Sequence, residues 1–157
     1  MLRIPFMDKR VSPVVVGETS ALSRRSRFLA AVAGGGLVVV LALASQLRPD
    51  PRGWGTHEQL GLPPCTFLTV AGIRCPACGM TTAWSNFMHG RMADALRANA
   101  SGTVLAAVAL VVAGWMLAVA IRGRPLPWQP GETTIAAAAV ALTALMIGEW
   151  IVRVWAQ

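Results

Sequence analysis

Apolar residues in this chain are gathered into long uninterrupted runs, not spaced at strand or amphipathic-helix intervals. Phe28 to Leu47, FLAAVAGGGLVVVLALASQL, carries no charge. Thr103 to Ile121, TVLAAVALVVAGWMLAVAI, carries none either. The third run, Thr133 to Ile151, TTIAAAAVALTALMIGEWI, has one charged residue, Glu149, near its end. A helix needs roughly 20 residues to cross about 30 Å of hydrocarbon. Buried helices of soluble folds usually keep a polar stripe that these runs lack. The expected fold is an all-α membrane protein with three transmembrane helices, at residues 28–47, 103–121 and 133–152. Between and before them lie a basic tail (1–27), a long loop (48–102) and a short turn (122–132).

The third run is the least hydrophobic because it is rich in alanine. Small residues let helices approach closely, so Ala136 to Ala141 are expected to face protein. Glu149 reads as an interfacial carboxylate paired with Arg153 one turn later, with a proton-relay role as the alternative. The basic residues decide the orientation. Arg3, Lys9, Arg10, Arg24, Arg25 and Arg27 precede the first run, and Arg122 and Arg124 mark the turn after the second. Positive charge favours the cytoplasmic side, which places the N-terminus there and the long loop outside. Residues 1–27 mix Ser, Pro, Gly and charge without a period and are expected to be a disordered tail. SRRSRFLA resembles a twin-arginine signal, and ALAS at Ala42 to Ser45 resembles a signal-peptidase site. The apolar stretch is long for a signal peptide, so an uncleaved anchor is preferred.

Composition agrees with a membrane and argues against nucleic acid. Hydrophobic residues are 55% and charged residues 13% of the chain. The net charge of +7 sits mostly beside the apolar runs, where topology accounts for it better than a nucleic-acid surface does. The expected partners are the lipid bilayer and other membrane proteins met through Ala/Gly-rich helix faces, with no nucleic acid.

All three cysteines fall in the long loop. Arg48 to Pro64 is rich in Pro and Gly and should be irregular. Phe67 to Ile73 reads as a short extended piece or a segment lying in the headgroup region. Thr81 or Thr82 can cap a helix that carries Trp84, Phe87 and Met88 on one face and stops at Gly90. A second short helix is expected from Met92 to Asn99. Trp84, Phe87, Met88, Met92 and Leu96 then form an amphipathic element resting on the bilayer or on the other helices.

The cysteines admit three chemistries. A metal site, zinc being the natural ion, would use Cys65, Cys75 and Cys78 with a fourth ligand, His89 first and His57 second. Cys-x2-Cys aims two sulfurs at one point, and Pro76 and Gly79 suit the tight turn. A redox site would use Cys75 and Cys78 at a helix start, where unpaired N–H groups favour a thiolate, with Cys65 as resolving partner. A structural role would be a disulfide from Cys65 to Cys75 or Cys78, or plain packing of reduced thiols. No Ser-His-Asp order, phosphate loop or HExxH is present.

The same loop resembles the bacterial membrane proteins grouped as the domain of unknown function DUF2752. Cys65, Gly72, Cys75, Pro76, Cys78, Gly79, Thr81 and Ala83 stand at the spacing of that family's signature, and His89-Gly90 and Asn99 match downstream. Thr66, Ala71, Thr82 and Ala100 depart from it. Thr82 replaces an Arg, so any anion or headgroup contact made by that Arg is missing here. The resemblance covers roughly residues 60 to 120. It implies a small multi-pass membrane protein of the cell membrane and brings no established activity. The expected function is a non-enzymatic membrane component whose cysteine loop is held by a disulfide or a metal. The alternatives are a membrane thiol–disulfide oxidoreductase using Cys75 and Cys78, or a zinc-binding membrane protein.

Overall fold

The Ser23 hydroxyl opens the first helix by accepting the Ser26 N–H at 3.1 Å. In this computed structural model, which describes residues 21–125 and 130–156, that helix, α1, runs Arg24–Gln46. Residues 1–20 of the expected disordered tail, and residues 126–129 of the expected turn, lie outside the described residues. Arg24, Arg25 and Arg27, assigned to the tail from sequence, are helical. Arginine is a good helix former, and the capping serine satisfies one of the first free N–H groups. A 3-10 turn at Thr56–Leu60 follows. Then come α2 (Thr66–Ala71), α3 (Met80–Met88), α4 (Met92–Ala98), α5 (Ala100–Arg122) and α6 (Glu132–Trp155). Among the described residues there is no strand.

α1, α5 and α6 have 23, 23 and 24 residues and are long and apolar enough to cross a membrane. At 1.5 Å per residue each reaches about 35 Å. The protein is therefore an all-helical membrane protein, and its cysteine loop joins the first two long helices. α1 and α5 form the main helix pair. Gly34, Leu41 and Ala44 are buried on α1, and Ala106, Ala109 and Ala113 on α5. Lipid tails are as apolar as leucine, so close backbone approach between small residues takes the place of hydrophobic burial as the attraction. One end of the pair is closed by Leu22 N donating to Gly123 O at 2.8 Å and Arg27 Nε donating to Ala120 O at 3.0 Å. At the other end Ser85 Oγ donates to Leu47 O at 2.6 Å, which ties α3 to the end of α1. α6 runs beside α5 and buries none of its residues.

The loop departs from the sequence reading in two places and sharpens it in a third. Residues 66–71 form a helical turn and a half, not an extended piece. Cys65 O accepts from Leu68 N and Thr69 N, and Gly72, at φ +69, closes it. Phe67 and Val70 stand exposed on this helix, as a segment in the interfacial layer would. Second, α3 is capped neither by Thr81 nor by Thr82. Its N-cap is Gly79, and Thr82 lies inside the helix with its hydroxyl 2.8 Å from that of Thr56. Third, the buried face of α3 is Thr82, Ala83, Ser85 and Asn86, while Trp84, Phe87 and Met88 are half-buried. The small side chains face the neighbouring helices, while Trp84 lines an apolar hollow with Val40, Leu43 and Ala44 of α1.

Gly34 tests the α1–α5 contact. A Cβ there would stand 3.0 Å from Leu117 Cγ and Met116 Cβ and 3.2 Å from Ala113 O, whereas at Gly35 it meets nothing within 4 Å. Gly34→Leu is expected to lower the thermal stability of the detergent-solubilised protein by about 1–3 kcal/mol, the usual cost of overpacking. Gly35→Leu, with the same gain in helix propensity, is expected to be neutral or stabilising.

Candidate functional site

The turn between α2 and α3 places the second and third cysteines. Cys78 N donates to Cys75 O and Met80 N to Ala77 O, both at 3.0 Å, so two successive tight turns fold the chain back on itself. Gly79 completes the reversal at φ +89. It is also wedged. A Cβ would lie 2.4 Å from Ala98 O and 2.8 Å from Gly53 O. Cys65 is the residue before α2.

The three sulfurs converge. Every pair lies within 4.8 Å, and Cys75 Sγ is 3.2 Å from Cys78 Sγ. The cysteines are unbridged; Cys78 is buried and the other two are half-buried. Burial raises the Cys65 thiol, but the N–H groups of Leu68 and Phe67 and its two thiol neighbours outweigh it and hold the group at about 7. Burial pushes the Cys78 thiol up to about 12, and hydrogen bonding to the other two sulfurs adds to the rise. The two thiols are thus shifted in opposite directions, Cys65 towards the thiolate and Cys78 towards the neutral thiol.

The four side chains proposed as metal ligands from sequence do not all meet. Cys65, Cys75 and Cys78 do; among the described residues no His, Asp or Glu belongs to the same group. His89 sits at the end of α3 with Nδ1 2.7 Å from Ser85 O. His57 Nε2 is 3.2 Å from Pro63 O.

Several residues that build the site were not singled out for it. Asn99, fully buried, uses both ends of its amide. Its Oδ1 accepts from Gly102 N at 2.6 Å and Ser101 Oγ at 2.7 Å, which caps α5. Its Nδ2 donates to Cys78 O at 3.2 Å and to Pro76 O at 3.4 Å. The end of α6 supplies more. Trp150 Nε1 donates to Arg74 O at 2.7 Å, and Arg153 Nη1 to Cys78 O at 3.1 Å. Glu149 pairs with Arg153, as its spacing predicted, and accepts the free N–H groups of Ala100 at 2.8 Å and Ser101 at 3.1 Å. A carboxylate there offsets the positive end of α5. Nothing in the local sequence around Trp150 marks its partner 76 residues away.

A second feature lies away from the sulfurs. A polar cavity of about 470 Å³ is lined by Asp50, Arg52, Asn86, Arg91, Asp94 and Arg97, among others. Arg52 is held by Asp50 at 2.7 Å and lies 4.4 Å over the Trp54 ring. This guanidinium holds the Asp50 carboxyl below the usual carboxylate range.

Gly79 provides the test of this geometry. Gly79→Ala is expected to cost several kcal/mol, because a left-handed conformation alone costs an L-residue roughly 1–2 kcal/mol and two carbonyls must also move. Gly72→Ala, at φ +69 with nothing within 4 Å, is expected to cost only that first part. Thermal unfolding, with the alkylation rate of Cys78 as local readout, separates the two.

No curated protein and no solved structure matches the chain. A family model does match, over less than half of its length. It covers α2 to α4 and the first part of α5, and so includes all three cysteines and Asn99 but none of α1 or α6. Over residues 65–113 the chain is similar to the family described as Protein of unknown function (DUF2752).

Proposed function

We propose that this integral membrane protein binds one thiophilic metal ion, zinc in the first instance, through Cys65, Cys75 and Cys78, and that the ion fixes the loop against the membrane helices. The observation that carries the reading is the mutual approach of three sulfurs to within 4.8 Å. With zinc–sulfur bonds of about 2.3 Å, tetrahedral geometry sets sulfurs about 3.8 Å apart. The thiols therefore need to shift by an ångström or less, within the play of their side chains. A bound ion would deprotonate all three, overriding their unequal acidities. The proposed protein ligands are the three thiolates, with a fourth position left to water or to a group from outside. His89 could fill it only by a rearrangement at the end of α3. The orientation proposed from the flanking arginines has the loop on the outer face and the N-terminus in the cytoplasm.

The other reading is thiol–disulfide exchange. It is favoured by the Cys65 thiol held at about 7 and by the 3.2 Å between Cys75 and Cys78. The two separate cleanly. Intact mass and metal content of the purified full-length protein, with and without alkylation, are expected to give one zinc per chain and thiols protected until chelation. Each of Cys65→Ser, Cys75→Ser and Cys78→Ser is expected to lose stoichiometric zinc. A mass lower by two hydrogens with no metal would sink the metal reading in favour of a disulfide. Three freely alkylated thiols and no metal would also sink the metal reading and leave packing or transient thiol–disulfide exchange.

A further inference from the structure

α6 is attached to the rest of the protein in an unusual way. None of its residues is buried, and α5 is the only helix it packs beside among the described elements. Yet its final turns hold the cysteine turn from both ends. Trp150 Nε1 grips the carbonyl of Arg74, the residue before Cys75, at 2.7 Å. Arg153 Nη1 grips the carbonyl of Cys78 itself at 3.1 Å. Glu149 orients that guanidinium while anchoring on the N–H groups of Ala100 and Ser101. The side chain of a cysteine is short, with one torsion, so its sulfur reaches only a few positions around the backbone that carries it. Two donors from α6 thus hold the backbone that carries two of the three sulfurs without touching either.

We propose that Trp150 and Arg153 are positioning residues for the thiolate site, and that filling this site and docking the end of α6 are coupled. The inference rests on the metal reading of the cluster. Groups that orient metal ligands typically contribute 10–100-fold to affinity. Coupling between two binding events is reciprocal, so an ion must tighten α6 by the factor that α6 tightens the ion. The turn keeps an independent brace, since Asn99 Nδ2 also donates to Cys78 O at 3.2 Å. Losing the α6 contacts should therefore weaken the site without dismantling it. α6 lies outside the matched residues 65–113.

The test uses the full-length protein in nanodiscs, with zinc titrated against a chelator. Co(II) serves as the spectroscopic probe, because its thiolate charge-transfer band counts the sulfurs bound. The variants are Trp150→Phe, Arg153→Ala, their combination, Arg153→Lys as the conservative replacement, and Glu132→Gln at the far end of α6 as control. The double variant is expected to keep the wild-type Co(II)–thiolate band while binding zinc roughly 10–100-fold more weakly. Arg153→Lys should recover most of the loss seen with Arg153→Ala, and Glu132→Gln should bind like wild type. Zinc should slow amide exchange at residues 149–156 in wild type and not in the double variant. Equal zinc affinity across the set, with exchange in α6 indifferent to zinc, would overturn the coupling while leaving the metal site intact. Absence of zinc binding by the wild type would overturn the metal reading and the coupling with it. Should the double variant fail to fold, by loss of exchange protection in α5, Trp150→Phe alone decides, since it removes one donor and keeps the ring.

Discussion

The carbonyl oxygen of Cys78 and the amide of Asn99 form the joint on which this protein turns. Asn99 faces two ways at a place where the chain passes from loop to membrane helix. Its oxygen satisfies N–H groups that α5 would otherwise leave bare, and its nitrogen holds the backbone of the cysteine turn. In a low-dielectric setting an unpaired amide end would be costly, so both halves must be satisfied together. The start of α5 and the position of Cys78 are for that reason one structural variable. Glu149 and Arg153 bring α6 to the same point. Three segments far apart in sequence meet on a few backbone atoms.

The long helices were legible because crossing a bilayer imposes a length and a composition, and both are visible without knowing any contact. Their ends were less so. α1 begins at Arg24 and α5 at Ala100, because capping and backbone satisfaction extend a helix past its apolar core. The Glu149–Arg153 pair followed from one turn of spacing. The other partners of those side chains did not, since donors such as the Trp150 indole name no acceptor in their own neighbourhood. The short helices were foreseen as an amphipathic element resting on the bilayer or on other helices, with the choice left open. In α3 Thr82, Ala83, Ser85 and Asn86 are the buried set. In α4 Met92 and Leu96 are exposed while Ala95 and Ala98 are buried. Where the surroundings are apolar, small and polar side chains mark the contact between helices, and an apolar stripe does not by itself say which face that is.

The cysteine site was legible in its parts list and not in its geometry. Spacing nominated Cys65, Cys75 and Cys78, and all three meet. Spacing also nominated His89, whose Nδ1 lies at Ser85 O and outside that group. Cys-x2-Cys constrains two sulfurs locally through one turn, so its message survives folding. A lone histidine eleven residues beyond Cys78 carries no such constraint. Gly79 shows the same principle in backbone terms. It looked like a turn residue, and it is one, but the close approach of Ala98 O and Gly53 O is what leaves no room for a side chain.

Arg27 joins the two main helices at one end. Its guanidinium donates to Ala120 O and Ile121 O, so it closes the last turn of α5 from the first turn of α1. It also belongs to the cluster of positive charge that governs which way a first helix enters a bilayer. If the orientation proposed from the arginines holds, the charge read during insertion and the donor that finishes a distant helix are the same group. A neutral replacement there would act twice, once on how the chain enters the membrane and once on how it rests afterwards, and a topology assay alone would report only the first.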